Sequence, residues 1–521
     1  MIVGAGFAGL AAARALRDRP WHWAMADVTV LDQHNHHVFT PFLYQVATAL
    51  LEPSETAHPV RTLVRGMANV EFRMARVTEV SLGRRRVETD QGPVPYDYLI
   101  LAAGAVNDYS HHDEIALHAT GLGDLGEALA LRNQVLSAFE AAAWATDPAE
   151  RARLLSFAVI GGGPTGVELA AALAVLVSGM VGRDFPGIGP GEASIVLVEA
   201  SGAPLPSFPP DLAARAAEAL RARGVRVESG ARVSRVDEAG LVLESGRRIA
   251  AATSIWAAGV RAHPLAGAFP VTGSKGRVVV GPTLQVERHP EVFVVGDLAE
   301  IPGRAGPLPM VAQVAIQSGR HAARSVMRLT AGRDVRPFAY RDLGSMATVG
   351  RGEAVAEIGP LHLAGLSGWM AWLGVHIGRT MSLQTRASVL LSWTSGYVFA
   401  DRPVRLIVDA TPPEAGGSRA AGGGAGGAGA AGGAGAAGGG SPGARRPGPA
   451  PPRADLPSVN VGNADRFGRA AALAWWTQDL PGRREEGDGR EKMASTLRRR
   501  ATRLRHQLTG DRSKTTGDCR G

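Results

Sequence analysis

The chain has 521 residues, 45% of them hydrophobic and 5% aromatic, with a formal charge of +8 and a pI near 10.2. That length allows two or three domains with a large buried core. Much of the basic excess sits in Arg-rich patches of the C-terminal tail, with Lys only at positions 275, 492 and 514, and this argues against nucleic-acid binding. The only cysteine is Cys519, which excludes an intrachain disulfide, a redox-active cysteine pair and a cysteine-based metal or iron–sulfur site, and no metal is expected.

The chain opens as strand, turn and helix. Ile2 and Val3 end an apolar strand, Gly4-Ala-Gly6-Phe-Ala-Gly9 is the turn, and an Ala/Leu-rich helix runs to about Leu16. The strand reads short against the usual length of about 5–6 residues, so the true start is left open. Gly4 already belongs to this motif, so no signal peptide is expected before it and the catalytic domains are expected in the cytoplasm. The loop Asp18–Asp27, with Trp21 and Trp23, looks longer than the connection needs, and a second strand, Val28–Leu31, ends in Asp32. The same unit recurs as strand Phe157–Ile160, turn Gly161-Gly-Gly163-Pro-Thr-Gly166, a helix to about Leu176 and strand Ile195–Val198 ending in Glu199. Helix Asp211–Arg223 and strand Val225–Glu228 extend it. Strand Val292–Val295 runs into Gly296-Asp297, and a helix is predicted from near Pro309 to about Arg328.

Each Gly-rich turn has a dinucleotide-binding logic. Gly4 permits the tight turn, Gly6 lets the backbone approach a pyrophosphate, Gly9 allows close helix–strand packing, and the helix N-terminus faces the phosphates. Gly161, Gly163 and Gly166 repeat that order. Asp32 and Glu199 sit where a ribose hydroxyl is bound, and a carboxylate at Glu199 favours NADH over NADPH. Two such sites imply one held cofactor and one exchanging substrate. Asp297 is placed for flavin ribityl hydroxyls, with the helix from Pro309 aiming its positive end at the flavin. An ordinary N-cap acid is the alternative reading.

These residues match a family. Gly4–Gly9, Asn35-His-His-Val-Phe-Thr-Pro-Phe-Leu-Tyr-Gln-Val-Ala-Thr48, Gly161–Leu169, Trp256-Ala-Ala-Gly-Val260, Val295-Gly-Asp297, Ala312-Gln-Val-Ala-Ile-Gln317 and Tyr340–Thr348 together resemble the type II NADH dehydrogenases. These are single-subunit NADH:quinone oxidoreductases that pump no protons. The resemblance reaches to about Ile407. It implies non-covalent FAD at the first fingerprint and NADH at the second, with Gly104, Gly259, Ala312 and Gln313 also among the cofactor-binding positions. It places Gln313 and Gln317 where flavin and quinone meet, and Glu168 near nicotinamide and flavin, tuning binding or moving protons. From the residues alone, the two glutamines share a helix face and an amide can donate to a quinone carbonyl, but without the surrounding motifs the preferred reading is that they satisfy buried backbone groups. Glu168 reads locally as a first-turn acid complementing the helix dipole.

The expected architecture is α/β, with two Rossmann-like domains: FAD-binding, 1–115 and 272–340, and NADH-binding, 116–271. Residues 341–410 are expected to form a membrane-associating region. Ile358–Gly378 carries no Asp, Glu, Lys or Arg, and with Trp369 and Trp372 it reads as a helix lying on the bilayer rather than crossing it. A second apolar stretch runs Ala387–Ala400. Residues 411–521, nearly all Gly and Ala over 416–440, are expected to be a disordered tail, in which Leu497, Ala501, Leu504 and Leu508 share one face flanked by arginines. The expected partners are NADH, a membrane quinone and the lipid surface at the cytoplasmic face of the membrane, with a homodimer left open. The rival readings are an NAD(P)H-dependent reductase of a small redox protein and a non-catalytic NADH-sensing flavoprotein. Disulfide and sulfide:quinone reductases need active-site cysteines that this chain lacks.

Overall fold

In a computed structural model of the chain, residues 1–17, 26–109, 113–379, 383–395 and 404–408 are described. The expectations for most of the loop Asp18–Asp27, for the end of the stretch Ala387–Ala400 and for the tail 411–521, including its Leu497–Leu508 face, lie outside the described residues.

The first unit contains β1 (Ile2–Val3), α1 (Phe7–Leu16), β2 (Val28–Asp32), α2 (Leu43–Ala47), β3 (Val70–Met74), β4 (Leu99–Leu101) and β5 (Ala105–Asn107). The second contains β6 (Ala119–Thr120), α3 (Leu125–Trp144), β7 (Ser156–Ile160), α4 (Pro164–Met180), β8 (Ser194–Glu199), α5 (Pro210–Ala222), β9 (Val225–Ser229), β10 (Thr253–Trp256) and β11 (Val260–Ala262). The chain then returns through β12 (Gln285–Val286), β13 (His289–Val294) and α6 (Ala312–Thr330), and ends in β14 (Ser345–Thr348), β15 (Ala354–Ile358), β16 (Leu361–Ala364), α7 (Gly365–Arg379) and α8 (Leu383–Thr394).

Two sheets organise this order. One runs β12-β13-β4-β1-β2-β3 and the other β6-β10-β7-β8-β9. Apart from the antiparallel β12–β13 edge, all ladders are parallel. Parallel strands are covered on both faces, which explains their unbroken apolar runs. Short as it is, β1 pairs on both sides, Ile2 with Val30 and Ile100 and Val3 with Leu31 and Leu101, and both residues are buried. Strands β5 and β11 join antiparallel where the chain passes between the two sheets. Helices α1 and α6 cross at Gly319, where an added Cβ would lie 2.1 Å from the Ala8 carbonyl oxygen.

Two elements depart from expectation. The helix predicted from Pro309 begins at Ala312. The residues before it are held extended, because Gly306–Pro307 pairs with Pro302–Gly303, Leu308 N–H donates to Ile301 O at 2.9 Å and Arg277 donates to Leu308 O at 2.8 Å. The apolar stretch Ile358–Gly378 is not one helix. It closes β15, turns at Gly359 (φ 58°) and Pro360, forms β16 and enters α7 at Gly365 (φ 66°). Nor does Trp372 face a lipid interface: it is 1% exposed, in a cluster with Phe42, His376 and Trp393. Trp393 Nε1 donates to Gln45 Oε1 at 2.7 Å, and Ser392 Oγ to Glu55 Oε1 at 2.7 Å, so α8 is tied through buried polar bonds to the segment after β2. Among the described residues no helix is long and apolar enough to cross a membrane.

Candidate active site

The two fingerprints fold into matching turn-and-helix devices. Gly4 (φ 97°) and Gly161 (φ 105°) take left-handed turns, and a Cβ would lie 2.3 Å from Ala102 O in the first and 2.5 Å from Ala257 O in the second. At the third glycine the contact is tighter: a Cβ on Gly9 would sit 1.8 Å from Gly4 O, and on Gly166 1.9 Å from Gly161 O. At the middle glycines, Gly6 and Gly163, an added Cβ would meet nothing within 4 Å. Each is the N-cap of its helix without a side-chain cap, so unpaired backbone N–H groups open onto that space. An open cradle at a helix N-terminus fits a pyrophosphate, and this chain has two.

The acids take matching places. Ala5 N–H donates to Asp32 Oδ2 at 2.6 Å, and His34 N–H to Oδ1 at 2.8 Å. Gly162 N–H donates to Glu199 Oε2, and Ser201 N–H to Oε1 at 2.7 Å. Each carboxylate thus braces the Gly-X-Gly loop of its own unit while its remaining lone pairs stay available to a ribose. If Glu199 binds the ribose, replacing it by Gln removes a charge that would repel a 2′-phosphate, and the ratio of kcat/KM for NADH over NADPH is expected to fall by about tenfold or more, measured in steady state. An unchanged ratio would remove Glu199 from the ribose site.

Sequence reasoning missed His37. Its Nδ1 donates to Ala5 O at 3.0 Å, and burial holds the ring down at about 4, so it is neutral and fixes the first loop from below. Gly104 (φ 71°) and Gly259 (φ 136°) flank the β5–β11 crossing, each with open space at its Cβ position. Asp297 lies in a short 3-10 turn, Gly296–Leu298, beside the first turns of α6, where Gly296 N–H donates to Ser318 Oγ at 3.1 Å. Asp297 is not an N-cap, since Val311 caps α6. Its Oδ1 is buried without a hydrogen-bond partner among the described residues, and burial pushes the carboxyl up to about 6 against the opposing pull of Arg277. An unpaired buried carboxylate oxygen next to a helix N-terminus fits the ribityl chain of a flavin.

Glu168 is not a first-turn acid. Helix α4 starts at Pro164, which makes Glu168 its fifth residue, and the side chain points into the core. Thr348 N–H donates to its Oε1 at 3.2 Å, and the indole N–H of Trp372 lies beside the carboxyl without an aligned hydrogen bond. Among the described residues no cation offsets the burial, which raises its pKa to about 8. Gln313 and Gln317 share one face of α6, but both amides are engaged by the backbone of the Arg341–Gly344 segment.

Two nucleotide cradles on two parallel sheets, linked by an antiparallel crossing, define the class of the pyridine nucleotide-disulphide oxidoreductases, whose family model matches residues 1–319. Within that class the chain belongs to the type II NADH:quinone oxidoreductases. Two Mycobacterium tuberculosis relatives, type II NADH:quinone oxidoreductases NdhA and Ndh, are each 38% identical to it, over 454 and 426 residues. These matches cover 81% and 78% of this chain and 94% and 90% of the relatives. The fold is shared with NDH2 from Plasmodium falciparum in complex with NADH, at a TM-score of 0.71 and 19% identity over 77% of this chain and 98% of that one. It is also shared with the sulfide:quinone oxidoreductase of Aquifex aeolicus, at a TM-score of 0.59 and 15% identity over 74% and 91%. The matched range holds no cysteine, so the disulphide chemistry in the family's name is foreign to this chain.

Proposed function

We propose that this chain is an FAD-dependent NADH:quinone oxidoreductase that pumps no protons, catalysing NADH + H⁺ + quinone → NAD⁺ + quinol. The observation that carries this reading is the pair of open glycine cradles, at Gly6 and Gly163, each braced by its own carboxylate. When bound, FAD supplies the chemistry the side chains lack, accepting hydride from NADH and delivering two electrons onward.

The chain's own residues bind, orient and hold a proton. Gly4, Gly6, Gly9 and Asp32 would hold the adenosine diphosphate half of FAD, and Gly104, Asp297 and Ala312 would bind its flavin half. Gly161, Gly163, Gly166, Glu199 and Gly259 hold NADH. Glu168 carries a proton at neutral pH, which makes it the buried acid able to supply a quinone oxygen. Gln317 donates from α6 to a quinone carbonyl. The domains follow as 1–115 with 272–340 for FAD, 116–271 for NADH and 341–410 for membrane contact. Anaerobic titration with NADH should bleach the flavin, and added quinone should restore it; bleaching without recovery would leave an NADH-binding flavoprotein and overturn the assignment.

The membrane contact is peripheral, on the cytoplasmic face. Trp372 and Trp393 anchor α7 and α8 inward, while Leu366, Met370 and Leu391 are 65%, 55% and 71% exposed. Helix α7, at 15 residues, spans about 22 Å, short of the bilayer's ~30 Å hydrocarbon. Its outer face suits the bilayer surface. The double substitution Leu366→Glu and Met370→Glu removes two buried-in-lipid side chains, on the order of 3–5 kcal/mol, and should move most of the protein from the membrane pellet to the supernatant with flavin content unchanged. Retention in the pellet would assign the contact elsewhere.

A further inference from the structure

We infer that a second carboxylate, Glu228, guards the nucleotide choice of the second cradle: it occupies Arg247, a cation one strand over from Glu199 that is otherwise suited to a 2′-phosphate. The inference rests on the reading of that cradle as the NADH site, and it adds to Glu199 a partner that no motif in the sequence marks.

Strand β9 runs beside β8, with Ser229 opposite Glu199 and Glu228 opposite Val198. Just past the strand ends the chain is bonded back to the acid's own segment: Ala231 N–H donates to Glu199 O at 2.9 Å, and Gly230 N–H to Ser201 O at 2.7 Å. The hairpin of Gly240–Leu243 and Arg248–Ala250 is joined to the same place, because Glu244 N–H donates to Arg232 O at 2.9 Å. Its turn therefore brings Arg247 to the rim of the sheet on which Glu199 stands. Glu228 meets the guanidinium with both oxygens, Arg247 Nη2 donating to Oε2 at 2.6 Å and Nη1 to Oε1 at 3.3 Å. This hydrogen bond holds the Glu228 carboxyl below its usual value, so the pair is fully charged at neutral pH. Arg226 shares the carboxylate, its Nε 3.3 Å from Oε1, but it lies two residues back along β9, roughly 7 Å further from the strand end. Arg232 is matched by Glu244, Nε to Oε1 at 3.6 Å.

A guanidinium engages a phosphate through the same two-point fork that it offers a carboxylate. Glu228 therefore fills the face of Arg247 that a 2′-phosphate needs. The side chains of Arg247 and Glu228 are 51% and 22% exposed, so water screens the pair and its hold is modest. The two acids act in series. While Glu199 is charged it repels a 2′-phosphate, and a freed Arg247 has nothing to bind. While Glu228 is charged, removing Glu199 ends the repulsion without supplying a cation. Only the loss of both turns the rim into a phosphate site, so the two substitutions should reinforce each other.

The test titrates the FAD-loaded full chain calorimetrically with NAD⁺ and NADP⁺, which bind without reducing the flavin and need no quinone. At low ionic strength, NADP⁺ affinity relative to NAD⁺ should improve about threefold in Glu228→Gln, about tenfold in Glu199→Gln and about a hundredfold or more in the double variant. Adding Arg247→Gln to the double variant should return the ratio to that of Glu199→Gln alone, and raising the salt should erode the gain. A double variant no better than the product of the single ones would overturn the inference, as would a gain that survives Arg247→Gln; either result would leave the cradle's reading intact. An unsubstituted chain that bound neither nucleotide would overturn the cradle's reading and this inference with it.

Discussion

Gly9→Ala should abolish FAD retention, and Gly166→Ala should leave the flavin bound while raising the KM for NADH by a hundredfold or more. The two glycines occupy equivalent positions, and at each an added methyl would sit under 2 Å from a backbone carbonyl oxygen, 1.8 Å from Gly4 O in one case and 1.9 Å from Gly161 O in the other. Neither obstacle is a flexible side chain, so the helix must move off its strand, at a cost on the order of 3–5 kcal/mol. That displacement carries the helix N-terminus away from the phosphates it should meet. At about 1.4 kcal/mol per tenfold, the loss is roughly two to three and a half orders of magnitude in affinity at the affected site. Flavin absorbance after gel filtration reads the first variant, and steady-state kinetics with quinone in excess reads the second. If Gly166→Ala lost flavin while Gly9→Ala kept it, the two cradles would have to be exchanged.

Glu168→Gln should slow quinone reduction by about a hundredfold while sparing NADH-driven flavin bleaching, the scale expected for loss of one positioned acid. Glutamine preserves the shape and the neutrality of the protonated carboxyl, so the difference reports the proton. The same site predicts a stability effect with a definite sign. Burial raises the carboxyl from 4.5 to about 8, so between those values the folded chain holds a proton that the unfolded chain has released. Stability from this group is fully present below pH 4.5 and falls as pH rises toward 8, by no more than ~5 kcal/mol at about 1.36 kcal/mol per unit. The variant lacks that slope. Denaturant unfolding at pH 6 and pH 8.5 should show the unsubstituted chain losing stability relative to Glu168→Gln. Quinone reduction by the unsubstituted chain should also decline above pH 8 as the acid ionises. Parallel stability curves for the two proteins would mean that Glu168 is ionised in the folded state.

What the sequence by itself determined was local. Strand, Gly-rich turn, helix and terminal acid lie within about 30–40 residues of one another in each unit, and their geometry follows from φ restrictions and helix-end hydrogen bonding that neighbouring residues settle among themselves. Gly4, Gly161, Asp32 and Glu199 were legible for that reason, and both sheets formed around them. Tertiary structure decided everything that depends on segments distant in the chain. From its neighbours alone Glu168 read as a first-turn acid complementing the helix dipole, and it is a buried carboxyl because β14 brings Thr348 to it across 180 residues and α7 lays Trp372 beside it. Trp372 read as an interface residue because a run without charges looks alike in a core and in a membrane; Gly359 and Pro360 broke that run and turned one face inward. Gln313 and Gln317 were placed on their shared face by helical period alone, but their partners are backbone atoms about thirty residues on, and backbone atoms have no signature in a sequence. Periodicity and turn chemistry are properties of neighbours, whereas burial, and with it the charge state of an acid, is set by whatever the rest of the chain brings against it.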